Sequence, residues 1–223
     1  MSQLLKLSDR IQFLPVVHGS GSFAREVRHR LLSFPCDCLA VALPPEFQQT
    51  VEEGIKLLPG ISLGCQVEQD GGMNYVPIDP SQPIIMGLRI AMQEGISRHF
   101  IDWSTENYEK RGIDFPDSFT LSKVSYEKFI STLLLTLKRP EEKSQHFWRA
   151  RWMAYQLHQL ELEYSNIICL CSILDWPWIK ETYDERLEIL PPQKPEGLPS
   201  LFGVDNKTLF FALTEFPYVT YLY

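Results

Sequence analysis

Three apolar runs in this chain each end on a polar side chain capable of chemistry: Gln12-Phe-Leu-Pro-Val-Val-His18, Arg98-His-Phe-Ile-Asp102 and Asn166-Ile-Ile-Cys-Leu-Cys-Ser-Ile-Leu-Asp175. Short, continuous apolar runs followed by a turn or helix mark strands buried on both faces, as in a parallel sheet covered by helices. In an open α/β sheet the ligand crevice lies outside the carboxyl ends of such strands. His18, Asp102 and Asp175 are therefore expected to converge on one pocket.

The segments between these runs carry helical periodicity. Residues 23–34 place Phe23, Val27 and Leu31 on one face, with Ser20 or Ser22 as N-cap and Pro35 as the stop. The run Cys38-Leu-Ala-Val-Ala-Leu43 reads as a further central strand ended by Pro44-Pro45, and residues 46–58 as a helix closed by Pro59-Gly60. The turn cluster Gln69-Asp-Gly-Gly-Met-Asn separates two short strands within residues 65–79, the second leading toward the pocket. Pro83 opens a helix that runs to Glu94, with Gly95 at its C′ position. Residues 125–137 and 141–164 are helical, the latter with Phe147, Ala150, Ala154, Leu157 and Leu160 on one stripe. A short helix is expected around residues 180–187.

This alternation predicts an α/β fold with a mostly parallel central sheet flanked by helices. Residues 1–188 form the α/β domain, in which 103–140 is a helical insertion or cap. Residues 189–223 comprise a Pro-rich linker and an aromatic C-terminal segment, Thr208-Leu-Phe-Phe-Ala-Leu and Pro217-Tyr-Val-Thr-Tyr-Leu-Tyr223, too apolar for a free tail. It either packs on the domain, serves an oligomer or partner contact, or leads into a longer chain.

A net charge of −7 with scattered Lys and Arg argues against nucleic-acid binding. There is no signal-type leader and no run near the ~18 apolar residues of a membrane helix, which points to a cytoplasmic, non-membrane protein. Five cysteines include Cys36-Asp-Cys38 and Cys169-Leu-Cys171, lacking the CxxC gap of zinc sites, and read as buried, reduced thiols.

His18-Gly-Ser-Gly-Ser22 places backbone N–H groups at a helix start, so Gly19, Ser20, Gly21 and Ser22 are an anion-binding candidate. The spacing is neither a dinucleotide GxGxxG nor a nucleophile GxSxG. Taken singly, His18 reads as a histidine bonded to its own turn, and Asp102 and Asp175 as caps or turn formers. Three at equivalent strand ends favour a shared site.

The order of these features resembles the superfamily of TraB-like proteins, Tiki metalloproteases, ChaN-like haem-binding lipoproteins and erythromycin esterases, especially its uncharacterised bacterial members. The resemblance spans residues 11–178. It rests on Pro15-Val-Val-His18-Gly-Ser, on Val41-Ala42-Leu43-Pro44-Pro45-Glu46-Phe47, on Arg149-Ala-Arg-Trp-Met153-Ala154, and on Ser172-Ile-Leu-Asp175 in place of a Gly-x-x-His turn. Two positions depart: the family glutamate falls on Ala42 and the last histidine on Asp175.

The resemblance implies a hydrolase in which His18, Glu46 and Asp175 hold a divalent metal cofactor, His18, Asp102, Arg149 and Asp175 form the catalytic set, and Arg149 orients an anionic or carbonyl substrate. From the residues alone, Arg149 reads equally as a surface arginine beside Arg151. The two departures leave a second reading open: a catalytically degenerate module of the same fold that binds a small-molecule or peptide ligand or acts as a scaffold.

Overall fold

The computed structural model describes residues 3–69, 71–105, 107–109, 111, 115–186, 189, 197–205 and 207. The described elements are β1 (Ile11–Val16), α1 (Gly21–Ser33), β2 (Cys38–Val41), α2 (Gln48–Lys56), β3 (Ser62–Val67), β4 (Met73–Ile78), α3 (Pro83–Gln93), β5 (Ser97–Phe100), α4 (Tyr126–Leu134), α5 (Gln145–Glu163), β6 (Ile167–Ser172), α6 (Trp176–Glu185) and β7 (Ser200–Gly203).

Four strands form the expected parallel sheet in the order β1-β6-β2-β5. Both faces are covered: α1 packs with α3, and α5 with α6. That double coverage explains why β2 is buried at every position and β6 at all but its last residue. The helix α3 lies unusually close to the sheet at Gly87, where an added Cβ would stand 2.6 Å from Leu170 Cδ2 and 3.3 Å from Val27 Cγ1.

Local chemistry sets the element ends. Ser20 caps α1, its Oγ accepting from Phe23 N, and Ser144 caps α5 by accepting from Phe147 N. Pro83 sits in the first turn of α3, and Gly95 follows its C-terminus with a φ of 67°. The last core helix, α6, starts earlier than its local pattern suggested, because Trp176, Ile179 and Tyr183 supply a buried face from its first turn.

The hairpin of β3 and β4 is not part of the central sheet. With β7 it makes a separate antiparallel sheet in the order β4-β3-β7. The strand β7 follows directly on the Pro-rich tract expected to be linker, and its approach is fixed by Thr50 Oγ1 donating to Pro199 O at 3.0 Å and Gln66 Nε2 donating to Gly197 O at 2.9 Å. Most of the Pro-rich tract and the aromatic stretch 208–223 lie outside the described residues.

The insertion after β5 divides into two parts. Residues 102–105, Asn107, Tyr108 and Arg111 contribute to the cavity described below, whereas α4 packs away from it, with Tyr126 and Phe129 set edge-on to Phe23 of α1. Tyr126 also donates to Pro15 O at 2.5 Å, and Arg30 of α1 bridges to Glu127 at 2.7 Å. The helical part braces α1 and is not a cap over the cavity. One hydrophobic cluster runs through both faces of the central sheet and takes in Ile78 of β4, with the half-buried Leu201 of β7 packed against it. All five cysteines are free, four buried and Cys36 half-buried.

Candidate functional site

The four parallel strands all point their carboxyl ends toward one cavity of about 800 Å³. This volume falls in the range of small-molecule sites. His18 follows β1, Ala42, Leu43 and Pro44 follow β2, Asp102 to Ser104 follow β5, and Ser172, Leu174 and Asp175 end β6. Arg149 reaches in from α5, while Gln66, Glu68 and residues 73–77 of the β3–β4 hairpin form the facing wall. His18, Asp102, Arg149 and Asp175, the expected catalytic set, are thus brought to a common hollow.

The floor is a network of opposite charges. Arg149 Nε donates to Asp102 Oδ1 at 3.0 Å and Arg149 Nη2 donates to Asp102 Oδ2, a two-pronged pair buried on both sides. The remaining nitrogen, Nη1, donates to Tyr108 Oη at 3.3 Å and lies 3.1 Å from His146 Nδ1. Burial opposes the Arg149 charge, but Asp102 and then Asp175 outweigh it and hold the guanidinium above its ordinary range. Arg149 is therefore a committed structural cation, neither a surface residue nor a free anion receptor.

Asp102 and Asp175 are not simple turn formers. Asp102 does accept from Trp103 N at 2.7 Å, but both of its oxygens engage Arg149. Asp175 occupies the N-cap position of α6 without a side-chain cap bond. Its Oδ1 instead accepts from Arg111 Nη1 at 3.2 Å, and its Oδ2 stands 3.9 Å from Arg149 Nη2. Arg111 also donates to Leu174 O and Lys138 O, each at 3.0 Å.

His18 differs from these groups. The residue is exposed to the cavity, and among the described residues no group hydrogen-bonds its ring. Enclosure by the fold pushes its imidazole below the ordinary value, Asp175 works against that shift, Arg149 with it and Asp102 against it. At neutral pH the ring is uncharged, with one N–H donor and one open acceptor nitrogen. Its orientation is set by the turn behind it, where Gly19 takes a φ of 74° and donates its N–H to Gln82 Oε1 at 2.8 Å.

No family model, curated protein or solved structure matches the chain.

Two expected roles are corrected by the geometry. The Gly19-Ser20-Gly21-Ser22 loop does not line the cavity, and its groups serve the fold: Ser20 caps α1 and donates to Ser118 Oγ at 2.7 Å. Glu46 sits in a 3-10 turn, Pro45–Phe47, which turns its carboxylate to accept from the Ser104 hydroxyl. Glu46 is not among the cavity residues, and among the described residues no three His, Cys, Asp or Glu side chains are grouped to hold an ion. The His18, Glu46 and Asp175 metal set does not fit this donor arrangement.

The sequence did not single out Tyr108, Arg111, Glu68 or Asn74. Glu68 Oε1 accepts from Asn74 Nδ2 at 2.7 Å and from Asn107 N at 2.6 Å, and Asn74 Nδ2 also donates to Thr105 O at 2.9 Å. These bonds fasten the hairpin wall to the loop after β5. Of the five tryptophans only Trp103 lines the cavity, edge-on to Trp152, while Trp176 is core against Phe13.

Proposed function

We propose that this chain is a small-molecule-binding α/β protein whose ligand sits at the carboxyl ends of the parallel strands. The observation that carries this reading is the commitment of Arg149: all of its nitrogens are spent on Asp102, Tyr108 and His146, beneath a cavity that still offers open polar groups. An arginine tied in this way shapes a binding floor and does not travel with a reacting substrate. This corresponds to the degenerate-site alternative within the TraB, Tiki, ChaN and erythromycin esterase resemblance. Kinship to that group is itself part of the proposal, supported by the convergence of His18, Asp102, Arg149 and Asp175.

The test is a fragment screen by amide NMR on the intact chain. Shifts are expected to cluster on His18, Trp103, Ser172 and Asp175. Shifts scattered over the surface, or centred away from these residues, overturn the reading.

One observation favours a second reading, metal-independent hydrolysis. The His18 ring is unbonded, uncharged at neutral pH and set among carboxylates, the condition of a general base awaiting a water or hydroxyl proton. A panel of p-nitrophenyl esters, assayed with chelator present, decides it. Hydrolysis that falls by about 100-fold in His18→Ala supports general-base chemistry, given the usual contribution of such a group. Turnover no faster than buffer, or unchanged in the variant, removes it.

A further inference from the structure

We infer that the cavity selects an uncharged ligand, a molecule bearing a hydroxyl or carboxamide group on an apolar ring or chain, and rejects both carboxylates and amines. This rests on the small-molecule reading above and specifies the chemistry it takes.

The argument begins with the charges on the floor. Arg149 and Arg111 face Asp102 and Asp175, so two positive and two negative groups balance within one connected network. Each arginine nitrogen described above is directed at a protein acceptor: Arg149 at Asp102, Tyr108 and His146, and Arg111 at Leu174 O, Asp175 and Lys138 O. An incoming carboxylate or phosphate finds both guanidinium groups already engaged by protein acceptors. It would shed its hydration while facing two carboxylates and Glu68 on the wall, which is costly without a partner. An incoming ammonium group meets the converse difficulty, because Asp175 lies between two guanidinium groups already bound to it or close by.

The groups left open are those that recognise a neutral polar function. The His18 ring offers one donor and one acceptor. Asp175 Oδ2, in a side chain 8% exposed, has among the described residues only the 3.9 Å approach of Arg149, beyond hydrogen-bond range. Ser172 Oγ accepts from Leu174 N at 3.2 Å, which leaves its hydroxyl proton to give. A hydroxyl or carboxamide donates to Asp175 or His18 and accepts from His18 or Ser172 without adding charge. Around these groups Leu43, Pro44, Met73, Val76, Trp103 and Leu174 supply apolar surface for the body of the ligand.

The experiment uses four probes of nearly equal shape: phenethyl alcohol, phenylacetamide, phenylacetate and phenethylamine. Their dissociation constants for the intact chain are measured by NMR titration at neutral pH. The alcohol and the amide are expected to bind at least about tenfold tighter than either charged probe, a difference of about 1.4 kcal/mol. Two variants move the balance in opposite directions. Asp175→Asn leaves the floor positive, and phenylacetate should gain about tenfold; Arg111→Gln leaves it negative, and phenethylamine should gain similarly. The second variant changes a half-buried residue, so it remains informative if Asp175→Asn unfolds.

Charged probes that bind the native chain as tightly as the neutral ones overturn the inference while leaving the binding pocket standing. Preferences that stay the same in a folded variant also overturn it, since floor charge would not then govern selection. If none of the four probes binds at millimolar concentration, the inference falls together with the small-molecule reading beneath it.

Discussion

The floor and the wall of the cavity are built on different principles. The floor is made of residues just past the ends of central strands: Asp102 is 4% exposed, Asp175 6% and the Arg149 that joins them 5%. The wall is a hairpin with Met73 55% and Tyr75 40% exposed, fastened to the loop after β5 through Glu68, Asn74 and Asn107. Buried, doubly paired charges resist change because losing one partner strands the other, whereas bonds at the surface compete with water and come apart one at a time. The buried charge pairs thus belong to the rigid part of the molecule and the hairpin wall to the yielding part.

The largest effect should come from breaking the floor. Asp102→Ala leaves the Arg149 guanidinium buried without its carboxylate, and urea denaturation is expected to show a loss of about 3–5 kcal/mol. Replacing both, Asp102→Leu with Arg149→Met, should recover most of that loss, because packed apolar side chains do as well as a buried ion pair. A double variant as unstable as the single one would mean that the pair holds more than itself.

Next comes the turn that aims His18. Gly19→Ala forces a Cβ into a φ of 74° and should cost about 1–2 kcal/mol in the same assay. Loosening the wall is expected to be milder. Glu68→Gln keeps the shape but weakens the bonds to Asn74 and Asn107, lowering global stability by about 0.5–1 kcal/mol. Hydrogen exchange at the Asn107 amide and along β4 should nevertheless speed up well before exchange in β6. Equal acceleration in β4 and β6 would abolish the distinction between wall and floor.

The smallest effect is the response to acid. Desolvation within the fold lowers the folded-state value of His18, and also those of His99 and His146, below the ordinary histidine value. Between the depressed and the ordinary value the unfolded chain binds more protons than the folded one, so stability falls as pH drops below about 6.5 and is fully present above it. Melting temperature recorded from about pH 7.5 down to about pH 5 should decline, and His18→Gln should flatten part of that slope.

The features legible in the sequence are those written locally. A strand buried on both faces must be apolar nearly throughout, so β1, β2 and β6 announced themselves, while the edge strand β5, Ser-Arg-His-Phe, showed only through Phe100 and Ile101 before Asp102; the rule that sites lie past such strands placed His18, Asp102 and Asp175 together. Ser20 and Pro83 marked helix starts by chemistry that acts over a few residues, whereas α5 begins at Gln145 behind its cap Ser144 and not at residue 141.

Other features depend on partners distant in the chain. The apolar stripe of α5 was read through Phe147, yet the buried face runs through His146, Arg149 and Met153, because Asp102, 47 positions earlier, draws Arg149 inward. Glu46 has the spacing of a ligand, but a local 3-10 turn directs it to Ser104. Arg111 and Tyr108 lie in a loop with no periodicity to read, and β7 gains its strand character only from pairing with β3.

The strand order carries a consequence for how the molecule is made. β1 and β2 do not pair with each other; both pair with β6, which is synthesised more than 120 residues after β2. Until residue 172 has left the ribosome, the nascent chain carries two apolar strands with the central slot of their sheet empty, open to any passing strand. A ribosome-bound intermediate stalled before β6 should therefore depend on chaperone shielding, and one stalled well after it should not.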